Sequence, residues 1–136
     1  MRPDMILITL ALITNGCRSQ PKLETKPPTV GWRPAGSWSG RGNTQTESFN
    51  IESGQFRVRW ETKNETSPGA GRFSVMANSA VSGRPIALAA EHRGAGRGTG
   101  YVTDDPRLFY LVIESSAVDW TLVVEEGVVA AAPGSP

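Results

Sequence analysis

One histidine, two pairs of adjacent carboxylates, a glycine-rich run and four tryptophans are the groups in this sequence whose types and spacing bear on chemistry. Nucleophilic catalysis needs a nucleophile, a base within hydrogen-bond reach and a group that orients the base. His92 is the only histidine, and it ends a strand-like segment just before the glycine run. Asp104 or Asp105 would have to complete a small hydrolase around it. The segment Gly36-Ser37-Trp38-Ser39-Gly40 has Trp38 where a nucleophile elbow needs serine. A zinc site would need further His or Cys ligands. His92 therefore reads as a surface side chain beside a loop, and no catalysis is expected.

Glu125 and Glu126 are sequence neighbours, as are Asp104 and Asp105. Neighbours in a strand point to opposite faces, so neither pair converges as glycosidase chemistry requires. Asp104-Asp105-Pro106 reads as a turn, with calcium ligation the less economical reading. Gly94-Ala95-Gly96-Arg97-Gly98-Thr99-Gly100 lacks the Gly-Lys-Ser/Thr of a phosphate loop, and a strand rather than a helix follows it. It reads as a flexible hairpin loop, with Arg93 and Arg97 placed to meet an anionic ligand. Among the aromatics, Trp60 is in phase with Phe56 and Val58, and Trp120 with Leu122 and Val124, so both are expected in the core. Trp32 and Trp38 remain as possible ligand contacts, with Tyr101 a third ring for a carbohydrate-binding surface. Trp32 also suits a cap on the edge of the domain.

The elements that must position these groups are strands. Phe56, Val58 and Trp60 alternate with Arg57, Arg59 and Glu61, as a half-buried strand should. The same period of two recurs at Phe73–Asn78 and Val118–Glu125, while Leu108–Ile113 is apolar throughout, as for a strand covered on both faces. Shorter candidates are Ser37–Arg41, Thr46–Glu52, Ile86–His92 and Gly100–Thr103. Ser53-Gly54, Ser67-Pro68-Gly69-Ala70-Gly71 and Ser82-Gly83-Arg84-Pro85 supply turn chemistry between them. About seven or eight short strands at this spacing predict an all-β, antiparallel, jelly-roll-like sandwich over residues 35–127. Residues 128–136 read as a flexible tail.

The 136 residues carry 14 basic and 13 acidic side chains, a net charge of +1 that argues against binding nucleic acid through its phosphates. A single cysteine excludes an intrachain disulfide framework, and no cofactor is expected. Met5–Ile13 (MILITLALI) is too short to span a bilayer, which takes about 20 residues, but suits the apolar region of a secretory signal. Residues 1–16 are expected to be that signal peptide. Arg18–Pro34, with four prolines and mixed charges, reads as an extended tether.

Thr14-Asn15-Gly16-Cys17 resembles the lipobox of bacterial lipoproteins, in which a small residue precedes a cysteine that is acylated and becomes the new N-terminus. Gly16 and Cys17 match that pattern, whereas Thr14 and Asn15 depart from it. The resemblance implies lipid attachment at Cys17 and a membrane as first partner. Cleavage after Gly16 by the general signal-peptidase rule, giving a secreted protein, is the other processing outcome. Arg18 is not the aspartate that the family uses for inner-membrane retention, which favours the outer membrane in a cell that has one.

Further along, Ser39-Gly40-Arg41-Gly42, Thr46-x-x-Phe49, Gly54-x-Phe56-Arg57-Val58-x-Trp60, Phe109-Tyr110-Leu111 and Trp120-x-Leu122-x-Val124 resemble small all-β modules appended to bacterial exported proteins and lipoproteins. The likeness spans Trp38–Glu125 and implies a fold without carrying over a catalytic residue. The expectation is an anchored cell-envelope module that binds a protein or glycan partner, the alternative being a carbohydrate-binding module built on exposed tryptophans.

Overall fold

Alternating apolar and polar side chains give nine strands and no helix among residues 30–129, which the computed structural model describes. They are β1 (Val30–Arg41), β2 (Thr44–Gln45), β3 (Phe49–Ile51), β4 (Gln55–Lys63), β5 (Arg72–Ser79), β6 (Pro85–Arg93), β7 (Gly96–Thr103), β8 (Arg107–Ser116) and β9 (Asp119–Val129). One sheet, A, runs β1-β9-β4-β7; the other, B, runs β2-β8-β5-β6, with β3 also pairing β8. Every pairing is antiparallel. With β2 and β3 counted as one interrupted strand, the order is that of an eight-stranded jelly roll.

Several expectations give way. β1 starts at Val30, so the Pro-rich run passes into sheet before Pro34. Pro34 is tolerated because β1 is an edge strand and its register with β9 slips between Pro34 and Gly36. The glycine run is a strand, not a flexible loop: only Gly94 and Ala95 separate β6 from β7, and Gly94 turns the chain with φ of 85°. Gly96, Gly98 and Gly100 then face inward beneath His92, Trp60 and the Ala89 backbone, leaving no room for a Cβ. At its other end the sandwich continues to Val129. Cys17, the proposed signal, most of the tether and residues 130–136 lie outside the described residues.

The core lies between the sheets. Phe49, Phe56 and Phe109 interlock with centroids 4.9 to 6.3 Å apart. Trp120 is fully buried and its Nε1 donates to the Gly42 carbonyl at 3.0 Å. Trp60 sits on the inner side as expected but only half-buried, tilted between Phe73 and His92. β8 departs from the expectation of a strand covered on both faces. Phe109, Leu111 and Ile113 are fully buried, while Leu108 is exposed and Tyr110 and Val112 half-buried. A two-layer sandwich has only one interior, so the outer face of even a central strand meets solvent.

Glu126 is the one buried carboxylate among the described residues, 4% exposed. Its Oε1 accepts from Arg33 at 2.9 Å, and its Oε2 accepts from the backbone N–H of Glu52 at 2.7 Å and of Ser53 at 2.8 Å. The side chain thereby ties the β3–β4 turn to β9 and β1. Burial is the largest single influence and pushes its pKa up, but the bonds from Arg33, Ser53 and Glu52 together outweigh it and hold the group below its ordinary 4.5. A depressed carboxylate contributes stability that is present above the unfolded value and lost as pH falls through the folded one. Urea unfolding should therefore show stability declining below pH 4.5. Glu126→Gln should be less stable at pH 7 and follow a flatter acid limb; parallel curves for the two proteins would refute this role.

Candidate ligand face of sheet A

β-strand pairing fixes which outward side chains are neighbours. On the outer face of sheet A, Pro34, Glu125, Arg57 and Tyr101 form one row, and Ser37, Val123, Arg59 and Thr99 the next. Ser39, Thr121, Glu61 and Arg97 follow. Trp32 stands opposite Gly127 at the end of the grid. The backbones of β1 and β7 are three strand spacings apart, about 14 Å. The rings of Trp32 and Tyr101 nevertheless approach to 6.0 Å between centroids. Gly127 makes this possible: a Cβ there would lie 3.3 Å from the indole. The Arg57 guanidinium lies 4.2 Å from the Trp32 ring centroid, a cation–π contact that supports the indole.

Arg57 is itself held. Its Nε donates to Glu125 Oε1 at 2.7 Å, and Arg59 Nε reaches the same oxygen at 3.0 Å. The bond from Arg59 is the largest influence on Glu125; burial opposes it, and Arg57 reinforces it, leaving the carboxylate below its ordinary range. Two guanidinium groups on one carboxylate leave a surplus of positive charge. Across the face, five basic side chains (Arg41, Arg57, Arg59, Lys63, Arg97) stand against three acidic ones (Glu61, Asp119, Glu125), a surplus of two positive charges. Short side chains in the middle leave a shallow trough of about 260 Å³ bordered by Arg59, Arg97, Thr99, Thr121 and Val123. At one end of the grid is an aromatic pair and at the other an unpaired guanidinium, since Arg97 makes no ion pair among the described residues.

The side chains singled out from sequence do not form one site. Trp32 and Tyr101 come together on the outer face of sheet A. Trp38 is inward, paired with Leu122, packed on Phe49 and donating from Nε1 to Glu47 at 3.0 Å. Arg97 is on sheet A, whereas Arg93 projects from the outer face of sheet B beside Arg72, so the two arginines do not meet one ligand. His92 packs at a tilt against Trp60, and its Nε2 lies 3.4 Å from the Ala95 carbonyl. Asp104 is at the far end of β7, roughly 23 Å along the strand, paired with Arg107 at 2.9 Å. Glu125 faces outward and Glu126 inward. No group of three potential metal ligands occurs among the described residues.

Sequence reasoning placed Arg57 and Arg59 on a wet strand face but missed that Trp32 would lie across it. The only signal was phase, because Trp32 and Pro34 share an outward parity that the register slip then interrupts. Comparison with known proteins found no matching family model, no matching curated protein and no matching solved structure.

Proposed function

We propose that this protein is an exported, lipid-anchored module of the bacterial cell envelope that binds a glycan on the outer face of sheet A. The observation that carries the ligand assignment is the Trp32–Tyr101 pair, with Tyr101 65% exposed and Arg57 buttressing the indole. Apolar ring faces stack on the apolar faces of sugar rings, and the polar rows beside them supply donors and acceptors for hydroxyls. The surplus positive charge of the face favours neutral or acidic sugars over basic ones. A jelly roll hosts many unrelated functions, so the reading rests on these side chains and not on the fold. Anchoring rests on the lipobox-like Gly16-Cys17 after an apolar segment of signal length.

One preparation tests both halves. Protein extracted from its native cells should have lost residues 1–16 and gained a lipid-sized mass, and Cys17→Ser should lose that gain. The same protein should change tryptophan fluorescence when titrated with soluble neutral and acidic oligosaccharides. Trp32→Ala and Tyr101→Ala should each weaken binding about 10-fold or more, as loss of an aromatic anchor does, without moving the unfolding midpoint greatly. An unresponsive wild type across the panel would sink the glycan assignment; an uncut chain would sink export.

A further inference from the structure

The outer face of sheet B carries a second arrangement, independent of the aromatic pair. Pairing of β5 with β6 and β8 sets Ser116, Arg72 and Arg93 side by side in one row. Two residues along, Glu114, Ser74 and Glu91 form the next row, in the same register. All six line one open cleft of about 970 Å³. Arg72 and Arg93 are directly opposite each other, and like charges so placed repel. Arg33, Arg41, Arg57, Arg59 and Arg107 each reach a carboxylate, but neither Arg72 nor Arg93 does among the described residues. Glu91 and Glu114, within diagonal reach, are likewise unpaired.

Two guanidinium groups side by side offer parallel N–H donors, the geometry that grips a carboxylate or phosphate. In the next row, the short Ser74 leaves open the space between two carboxylates, where an ammonium can be shared. The rows are about 6.6 Å apart along the strand. A plain anion over the arginines would feel the two glutamates; a ligand with a cationic end would satisfy both rows. We infer that this cleft binds a small zwitterion, its oxyanion on Arg72 and Arg93 and its primary ammonium between Glu91 and Glu114. Phosphoethanolamine, free or as a head group, has this chemistry.

The test is an amide-resolved NMR titration of the full mature chain with O-phosphoethanolamine, inorganic phosphate, ethanolamine and phosphocholine. Phosphoethanolamine should shift the amides of residues 72–74, 91–93 and 114–116 and bind about 10-fold more tightly than phosphate, since only it engages both rows. Phosphocholine, whose quaternary nitrogen has no N–H, should bind more weakly than phosphoethanolamine. The Arg72→Gln, Arg93→Gln double variant should lose binding, and Glu91→Gln with Glu114→Gln should erase the preference over phosphate. These positions are outside the core, so the variants should fold. Dispersed phosphatidylethanolamine in bicelles separates the sources: response to it alone assigns a head group, and response to the free compound assigns a soluble ligand. Equal affinity for phosphate and phosphoethanolamine, or no shift in these segments with any probe, would overturn the inference.

Discussion

Trp120→Ala is expected to remove about 3–5 kcal/mol of stability, the usual range for emptying a fully buried aromatic position. The indole has no exposed surface, packs near Phe73 at 6.3 Å between centroids, and covers Gly40, where a Cβ would lie 3.0 Å from its ring. The close backbone beneath it limits how far the site can collapse. Its Nε1 bond to the Gly42 carbonyl is lost as well, and that carbonyl sits where β1 leaves sheet A for sheet B. A domain of this size has roughly 5–15 kcal/mol in all, so the variant should show a much earlier urea midpoint or no cooperative transition. Trp120→Phe keeps most of the packing without the hydrogen bond and should fall between. A loss below about 1 kcal/mol for the alanine variant would mean that this corner of the core is not tightly packed.

Gly100→Ala should be comparably damaging, although it adds only a methyl group. An added Cβ would overlap the Ala89 carbonyl oxygen. Neither backbone can retreat easily, because Ala89 is buried in β6 and Gly100 is paired with Val58 in β4. The corner where β6 of sheet B meets β7 of sheet A has to open. Overpacking of a side chain costs about 1–3 kcal/mol, and a clash between two main chains should reach or exceed the top of that range. Gly31→Ala is the control, because its Cβ would find only ordinary contact with Val128 at 3.7 Å. Thermal unfolding of the two variants side by side decides the matter; similar midpoints would show that the corner yields.

These two positions also mark how far the sequence could be read. Trp120 alternates with Leu122 and Val124, and that phase survives into the structure because all three are buried between the sheets. Gly100 belongs to a strand whose inward positions are glycine except for Val102, so most of the apolar half of the alternation is missing. The run looks like loop until one sees that Arg97, Thr99 and Tyr101 keep the outward period. Residues far apart in the chain were harder still. Trp32 and Tyr101 meet only because β9 inserts between β1 and β4, and no local pattern reports that insertion. The cleft of sheet B was invisible for the same reason: Arg72, Arg93 and Ser116 are brought into one row by two separate strand pairings.

The place of β9 has a kinetic consequence. The last strand among the described residues, β9, lies between β1 and β4, so sheet A lacks its middle until residues 119–129 exist. Without them β1 has no partner in that sheet, and Trp120, Leu122 and Val124 are missing from the core. Folding must wait for β9 and then close the β1–β9 pairing, the longest-range one among the described residues, the slow route for an all-β protein, on the order of milliseconds to seconds. A nascent chain that stops short of residue 119 therefore has neither a complete sheet A nor a closed core.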